Sequence, residues 1–328
     1  MLKTIAKLLL AFGLIFYLVK SGRIDFSILQ KSLDHKLEWF LCFACLILNV
    51  LLGTLRWKNI LEIKAERSFS YLKILKIGWI GLLFNTVLPG SVSGDFIKLV
   101  YAKPLDEKFT KTFLVTSVFL DRIFGLVGLL TLLGLSSIYN YGDLTAKSES
   151  LANLIHFNFL IFFGIILFIA SILMPSKIQD KILGITSKVP VIATHLTNTF
   201  GQVWLVGKYR KVLFTNVFLS MAGQTFFLLG FWIIASPFFN VDVPFKYALT
   251  FIPLGLCTIA IPITPQGLGI GHAAFDTLFG YFGIDNGASL FNLYFISGVL
   301  VNLIGAIPYV LSGKKNVKAQ AQQFETSN

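Results

Sequence analysis

Two charges lie where charge is costly. Asp121 and Arg122 sit deep in the apolar run Phe113-Leu114-Val115-Thr116-Ser117-Val118-Phe119-Leu120-Asp121-Arg122-Ile123-Phe124-Gly125-Leu126. A charged residue at the centre of a membrane helix costs about 2.5–3.5 kcal/mol on insertion scales, so such residues are kept for pairing or for use. Helix neighbours point about 100° apart, so the two need not pair with each other. Arg122 is placed to meet either Asp95 or a ligand phosphate, whose oxygens a guanidinium grips in bidentate fashion. Lys98 follows Asp95 by three residues and can pair with it on a helix. Arg56, next to Trp57, closes another apolar run, where its side chain is expected to snorkel to the interface and reach lipid headgroups. His272 and Asp276 are four apart, on one helix face, and could exchange protons.

Two Gly/Pro interruptions break long apolar stretches. The first is Asn85-Thr86-Val87-Leu88-Pro89-Gly90-Ser91-Val92-Ser93-Gly94-Asp95, and the second is Ile263-Thr264-Pro265-Gln266-Gly267-Leu268-Gly269-Ile270-Gly271-His272. Backbone that leaves the helix at bilayer depth is tolerated only when buried in protein or lining a watery cavity. A matched pair of breaks points to a transporter's binding site. The half-helix that returns from each break starts with unpartnered N–H groups and a positive dipole end, which suit an anion such as a lipid phosphate. Gly90, Gly94, Gly267, Gly269 and Gly271 would admit a ligand close to the backbone, or simply let helices pack closely. Ser91, Ser93 and Thr264 are candidate caps for the returning helices, with Asp95 in the first turn of one of them.

These residues need membrane-embedded helices to position them, and composition supplies the setting. The 328 residues are 55% hydrophobic and 13% charged, with mean hydropathy +0.76. Soluble domains carry about 25% charged residues, so an integral membrane protein is expected. The 33 Phe suit a lipid-facing surface. The net charge of +12 falls largely in loops, where it fits the cytoplasmic side and anionic headgroups better than nucleic acid. Cys42 and Cys45 have C-x-x-C spacing in an apolar helix and, like Cys257, read as packing residues. The four His show no metal-ligand spacing, and no cofactor is expected. Met1 to Lys20 looks like a signal peptide but lacks an A-x-A-like site, so an uncleaved first span is expected.

Apolar stretches at 3–20, 37–55, 112–139, 151–173, 211–235 and 289–311 match the roughly 20 residues a span needs. Loops 56–76, 101–111 and 174–211 are rich in Lys and Arg, whereas 140–150, 236–246 and 283–288 are poor. The positive-inside rule puts the first set in the cytoplasm and the second outside, although 20–36, with four basic residues, must then lie outside. The stretch 72–101 then enters and leaves on the cytoplasmic side, and 246–282 dips in from outside. The expected fold is an all-α polytopic membrane protein, an inverted-topology repeat with about six spanning helices and two re-entrant hairpins. Residues 1–312 form one membrane domain, with repeat one at 1–140 and repeat two at 151–312. The tail 313–328 is read as a disordered cytoplasmic segment, and 189–206 as an interfacial helix.

The ordered pieces Arg56-Trp57, Asn85-x-x-x-Pro89-Gly90-x-x-x-Gly94-Asp95, Asp121-Arg122-x-x-Gly125-Leu126 and Pro265-x-Gly267-Leu268-Gly269 resemble the flippase-like membrane domain of lysylphosphatidylglycerol synthases. The chain departs from that pattern at His272, where the family usually carries an acidic residue. The aminoacyl-transferase domain of that family has no counterpart in these residues. The resemblance therefore implies a lipid flippase or translocator in the bacterial cytoplasmic membrane, for phospholipid or polyprenyl-linked substrates, rather than an enzyme. Membrane lipids are the expected partners, with a second copy of the chain or a membrane enzyme as further candidates. A proton- or ion-coupled transporter of DedA-like hairpin architecture is the alternative. An intramembrane enzyme is third: Ser91-Val92-Ser93-Gly94 nearly matches the G-x-S-G of rhomboid proteases, but Ser91 replaces the Gly and His272 would have to come from the other half.

Overall fold

The computed structural model describes residues 26–87, 93–186, 204, 207–260 and 269–311. The stretch 3–20, the break residues Pro89, Gly90, Ser91, Thr264, Pro265 and Gly267, most of 189–206 and the tail 313–328 lie outside the described residues. Among the described residues all regular structure is helical: α1 (Phe26–Ser32), α2 (Lys36–Leu61), α3 (Tyr71–Val87), α4 (Ser93–Ala102), α5 (Lys111–Tyr139), α6 (Tyr141–Thr145), α7 (Glu149–Ile172), α8 (Ser176–Thr186), α9 (Arg210–Ala235), α10 (Phe245–Ala260), α11 (Ile270–Gly280), α12 (Gly287–Leu303) and α13 (Ala306–Leu311). Five segments are long and apolar enough to cross a membrane: Lys36–Leu61, Lys111–Tyr139, Glu149–Ile172, Arg210–Phe238 and Gly287–Leu311. They coincide with five of the six expected spans, and the architecture is that of a multi-pass membrane protein.

Local chemistry sets where the long helices begin. Thr110 is extended and its side chain accepts the Phe113 N–H at 3.2 Å, which caps α5. Ser148 does the same for α7 through Leu151 N–H. The two helices then play different parts. Over their most apolar windows, 56% of the α5 residues are buried but only 17% of those in α7. So α5 is the central post, packed on α2, α4, α7, α9 and α10, and α7 shows most of its surface to lipid.

The most extensive helix pair is α2 with α9. Gly230 lies against Cys42 and Cys45, Gly223 against Asn49 and Leu52, and Asn216 against Arg56 and Asn59, so the two run antiparallel. Small residues at this seam let the backbones approach, the usual basis of helix association where water supplies no hydrophobic drive. Cys42 and Cys45 are buried in it, as packing residues.

The short helices also form two antiparallel pairs. In α3 and α4, Asn85 meets Gly94 and Gly81 meets Lys98. In α10 and α11, Phe251 meets Phe279, Gly255 meets Phe275, and Ile259 meets Gly271. A Cβ on Gly94 would run into the Gly81 carbonyl oxygen, so glycine is what lets the first pair close. The first pair packs on α12 through α3, and the second packs on α5 through α10.

Phenylalanine does more than face lipid. Phe109, Phe231, Phe251, Phe275, Phe279 and Phe291 are fully buried. Phe231 stacks on Tyr294 with centroids 4.4 Å apart, and Phe275 stacks on Phe291 at 4.9 Å. Flat rings interlock α9, α11 and α12, and dispersion rather than water exclusion rewards that fit inside a bilayer. At one end of the bundle Asn158 donates to Ser137 Oγ at 2.9 Å and to the Thr250 carbonyl at 3.0 Å, tying α5, α7 and α10. Nearby Lys246 meets Asp143 at 2.9 Å. The hydrogen bond from the Lys246 ammonium holds that exposed carboxyl below its usual range.

Candidate functional site

A cleft of about 870 Å³ lies between α4, α5, α9 and α10. Its volume falls within the roughly 300–1,000 Å³ common for ligand sites. Its wall is apolar: Phe96, Leu99, Val115, Val118, Phe119, Ile123, Leu126, Leu129, Phe227, Leu256 and Ile259, with Gly125 among them. Only Asp95, Arg122 and Gln224 bring polar side chains to it. On α5, Val115, Phe119, Arg122 and Leu126 follow the helical spacing of one face. Val115 is 52% exposed, Phe119 50% and Leu126 40%. The cleft therefore opens sideways, along the face of the bundle that lipid would cover.

Arg122 sits midway along this stripe. Its Nε donates to Asp95 Oδ2 at 2.6 Å, and its Nη2 lies 2.5 Å from the same oxygen. The pair is lopsided, with the Asp95 side chain 8% exposed and that of Arg122 46%. Lys98 adds a second positive charge 3.9 Å from Asp95 Oδ1, with its ammonium over the Trp57 ring. The carboxylate is thus a buried anchor, and the guanidinium it holds is presented to the cleft.

Asp121, the other half of the deep charged dipeptide, points elsewhere. Arg56 Nε donates to Asp121 Oδ1 at 2.6 Å, and Arg56 Nη1 donates to Ser220 Oγ at 3.0 Å. The Arg56 side chain is only 12% exposed. This corrects the expectation that Arg56 snorkels to the interface. A carboxylate on the neighbouring helix lies within reach, so the side chain folds inward to it. Ser220 passes the contact on to the Asn216 carbonyl, and Asn216 receives Asn59. The result is a polar seam along α2 and α9.

At the breaks, two caps are seen among the described residues, from Asn85 and His272. Asn85 Oδ1 accepts the Gly94 N–H at 2.8 Å, closing the first turn of α4 from across the break. Ser93 opens that helix, while Ser91 and Thr264 lie outside the described residues. At the second break Gly269 has φ +81°, a conformation that favours glycine, and its N–H donates to His272 Nδ1 at 3.3 Å. That bond requires the Nδ1 lone pair, so His272 caps α11 as a neutral ring. It is 2% exposed and lies edge-on to Phe291. Gly271 lies under Phe291 and Ile259, a packing position. Of the residues expected at the site, Asp95 and Arg122 line the cleft. Asn85, Ser93, Gly94, Lys98, Gly269, Gly271 and His272 support the helices around it, and Arg56 and Asp121 form a second pair behind it.

Gln224 is the residue sequence reasoning passed over. Its Nε2 donates to the Gly125 carbonyl at 3.2 Å, and its Oε1 is buried with no hydrogen-bond partner among the described residues. The signal was present: Gln224 is a lone amide amid Met221-Ala222-Gly223 and Phe226-Phe227-Leu228, in a span. Among the described residues no His, Cys, Asp and Glu cluster could hold a metal ion.

Comparison with curated proteins and with solved structures finds no match. A family model does match: the one described as the lysylphosphatidylglycerol synthase TM region covers residues 4–306. An all-helical bundle with membrane-length spans, matched over nearly its whole length, belongs to the lysylphosphatidylglycerol synthase transmembrane-region family.

Proposed function

We propose that the protein is a non-enzymatic lipid translocator, moving an anionic or polyprenyl-linked lipid between leaflets of the cytoplasmic membrane. One observation carries the reading: a half-exposed guanidinium, held by a buried carboxylate, sits in an apolar cleft that opens onto the lipid-facing side. An acyl or prenyl chain would lie along Val115, Phe119 and Leu126, and the headgroup phosphate would meet Arg122. Apolar walls with a few convergent polar groups are the usual make-up of a ligand site. Family membership supports a role in lipid metabolism or translocation.

The antiparallel packing of α2 on α9 supports an inverted-repeat architecture, since these helices hold equivalent places in the two halves. The two short-helix pairs support re-entrant hairpins. In such an arrangement each hairpin packs on the last span of the opposite half, as α10 does on α5 and α3 on α12.

Reconstitution into liposomes with a fluorescent anionic lipid tests the reading, with dithionite quenching the outer leaflet. Wild type should expose label from the inner leaflet faster than protein-free vesicles. Arg122→Ala should lose transport, and Arg122→Lys should recover part of it, because Lys meets a phosphate as a point charge without the bidentate fork. Transport at the wild-type rate by folded Arg122→Ala protein would remove this residue from the mechanism. Repeating the assay with an imposed pH gradient reads out any proton coupling.

A further inference from the structure

Three charges meet at one wall of the cleft, where two would balance. Asp95 divides its oxygens: Oδ2 faces Arg122, and Oδ1 faces the Lys98 ammonium at 3.9 Å. One carboxylate against two cations leaves one positive charge over. The side chains are 46% exposed for Arg122, 16% for Lys98 and 8% for Asp95, so the surplus is presented at Arg122. Lys98 lies outside the cleft wall, to which α4 contributes Asp95, Phe96 and Leu99. Its stem runs instead along α3 at Gly81, where an added Cβ would stand 2.6 Å from Lys98 Cγ and 2.9 Å from Cε. Its ammonium lies 5.5 Å over the ring of Trp57, which is buried and donates its indole N–H to Ser117 Oγ at 3.3 Å. A glycine and a held ring thus house an ammonium that the neighbouring ion pair does not need for balance. Charge so little exposed is costly, and residues that bear it are kept for pairing or for use.

We propose that Lys98 is a positioning residue: by holding Asp95 Oδ1 it leaves surplus positive charge on Arg122, so the cleft selects a headgroup of net negative charge over a zwitterionic one. The inference rests on the reading of Arg122 as the headgroup contact. A lone Asp95–Arg122 pair would present a dipole, neutral in sum, to whatever entered the cleft. With Lys98 the sum is positive. The ammonium of a zwitterionic headgroup meets that surplus and is repelled, while a phosphodiester without a cation keeps the attraction in full. Coulomb energy falls only as the inverse of distance, so Lys98 acts on the ligand without touching it. The apolar wall strengthens the effect, because low-dielectric walls focus the field of a charge. Electrostatic complementarity of this kind decides which partner is taken more than how tightly any is held.

Binding by the whole chain in a neutral maltoside detergent tests this. The probes are dioctanoyl phosphatidylmethanol, which is anionic, and dioctanoyl phosphatidylethanolamine, which is zwitterionic. The rise in unfolding temperature with lipid concentration gives an apparent Kd for each, and the two give a selectivity ratio. Wild type should favour phosphatidylmethanol by about tenfold or more, the scale of one unit charge several ångströms away in a partly buried site. Lys98→Met should bring the ratio toward one, and Lys98→Arg should keep most of it. Lys98→Met/Asp95→Asn leaves Arg122 as the one charge of the three, the same sum as wild type, and should restore the preference. Lys98→Gln, alone and with Asp95→Asn, replaces the Met variants if they do not fold. A merely structural lysine would lower the unfolding temperature without lipid and leave the ratio alone. A wild-type ratio near one, or a ratio that Lys98→Met keeps, overturns the proposal while the Arg122 site stands. So does a fall that the double variant does not restore, since Lys98 would then meet the headgroup itself. Wild type that binds neither lipid overturns the headgroup reading of Arg122 instead.

Discussion

The two buried ion pairs differ in how much water they see, and that difference predicts different consequences for their loss. Arg56 and Asp121 are 12% and 14% exposed, whereas Arg122 is 46% exposed over an 8% exposed Asp95. Removing one partner of a buried pair strands a charge, typically at about 3–5 kcal/mol. Arg56→Ala should show that cost in full, because among the described residues Arg56 is the cation that pairs with Asp121. Arg122→Ala should cost less, because Lys98 stands 3.9 Å from Asp95 and the lost side chain was half in the open. Thermal unfolding in detergent should therefore rank Arg56→Ala as clearly less stable than Arg122→Ala, and Arg56→Met/Asp121→Leu should regain much of the loss. The opposite ranking would mean that Arg122, not Arg56, is the structural charge. Sequence exposed all four of these residues, because ions stand out in apolar runs. It offered Asp95 as a partner for Arg122, but it did not reveal the pairing of Arg56 with Asp121. Arg56 and Asp121 are joined across two helices, and whether an arginine at a span end turns outward or inward depends on what the neighbouring helix offers.

Among the elements, the short helix pairs show where sequence reading worked and where it stopped. Gly/Pro breaks within apolar stretches marked both pairs, since few other signals end a helix there. Which residue caps each returning helix could not be read, because a cap reaching across a break depends on register. Asn85 reaches Gly94 because α3 and α4 run antiparallel with those positions side by side. Gln224 went unnoticed for a similar reason: its contact, the Gly125 carbonyl, is on another helix. Glycine substitutions test the packing account. Gly94→Ala would push a methyl into the Gly81 carbonyl, and backbone cannot yield as a side-chain tip can. It should cost at least the 1–3 kcal/mol or so typical of overpacking, seen as a lower unfolding temperature and folded yield. Gly164→Ala, on lipid-facing α7 with nothing within 4 Å, should leave both unchanged. Equal tolerance at the two sites would mean that α3 and α4 are not in the contact described.

For the whole molecule, the strongest constraint is the direction of equivalent helices. A parallel repeat would set α2 and α9 running the same way, and an inverted one sets them opposed; their residue pairings descend along one as they rise along the other. Loop charge, which owes nothing to those pairings, leads to the same arrangement. By the positive-inside rule 56–71 is expected in the cytoplasm, and 140–150 and 283–288 outside. Cysteine labelling with a membrane-impermeant maleimide joins the two arguments. Ser150 and Tyr281 are exposed and serve as reporters for the outer side, with Glu66 for the inner. Ser148 is avoided because its hydroxyl caps α7, and Asn286 because its φ of 60° would strain a cysteine. The native Cys42 and Cys45 are buried, and Cys257, which is partly exposed, is replaced by alanine to keep background low. In intact cells Ser150→Cys and Tyr281→Cys should label, and Glu66→Cys only after permeabilisation. Label at Tyr281→Cys that needs permeabilisation would put the α10–α11 pair on the same side as α3–α4. The halves would then not be inverted, and the cleft at Arg122 would need a different account of how a lipid leaves it on the far side.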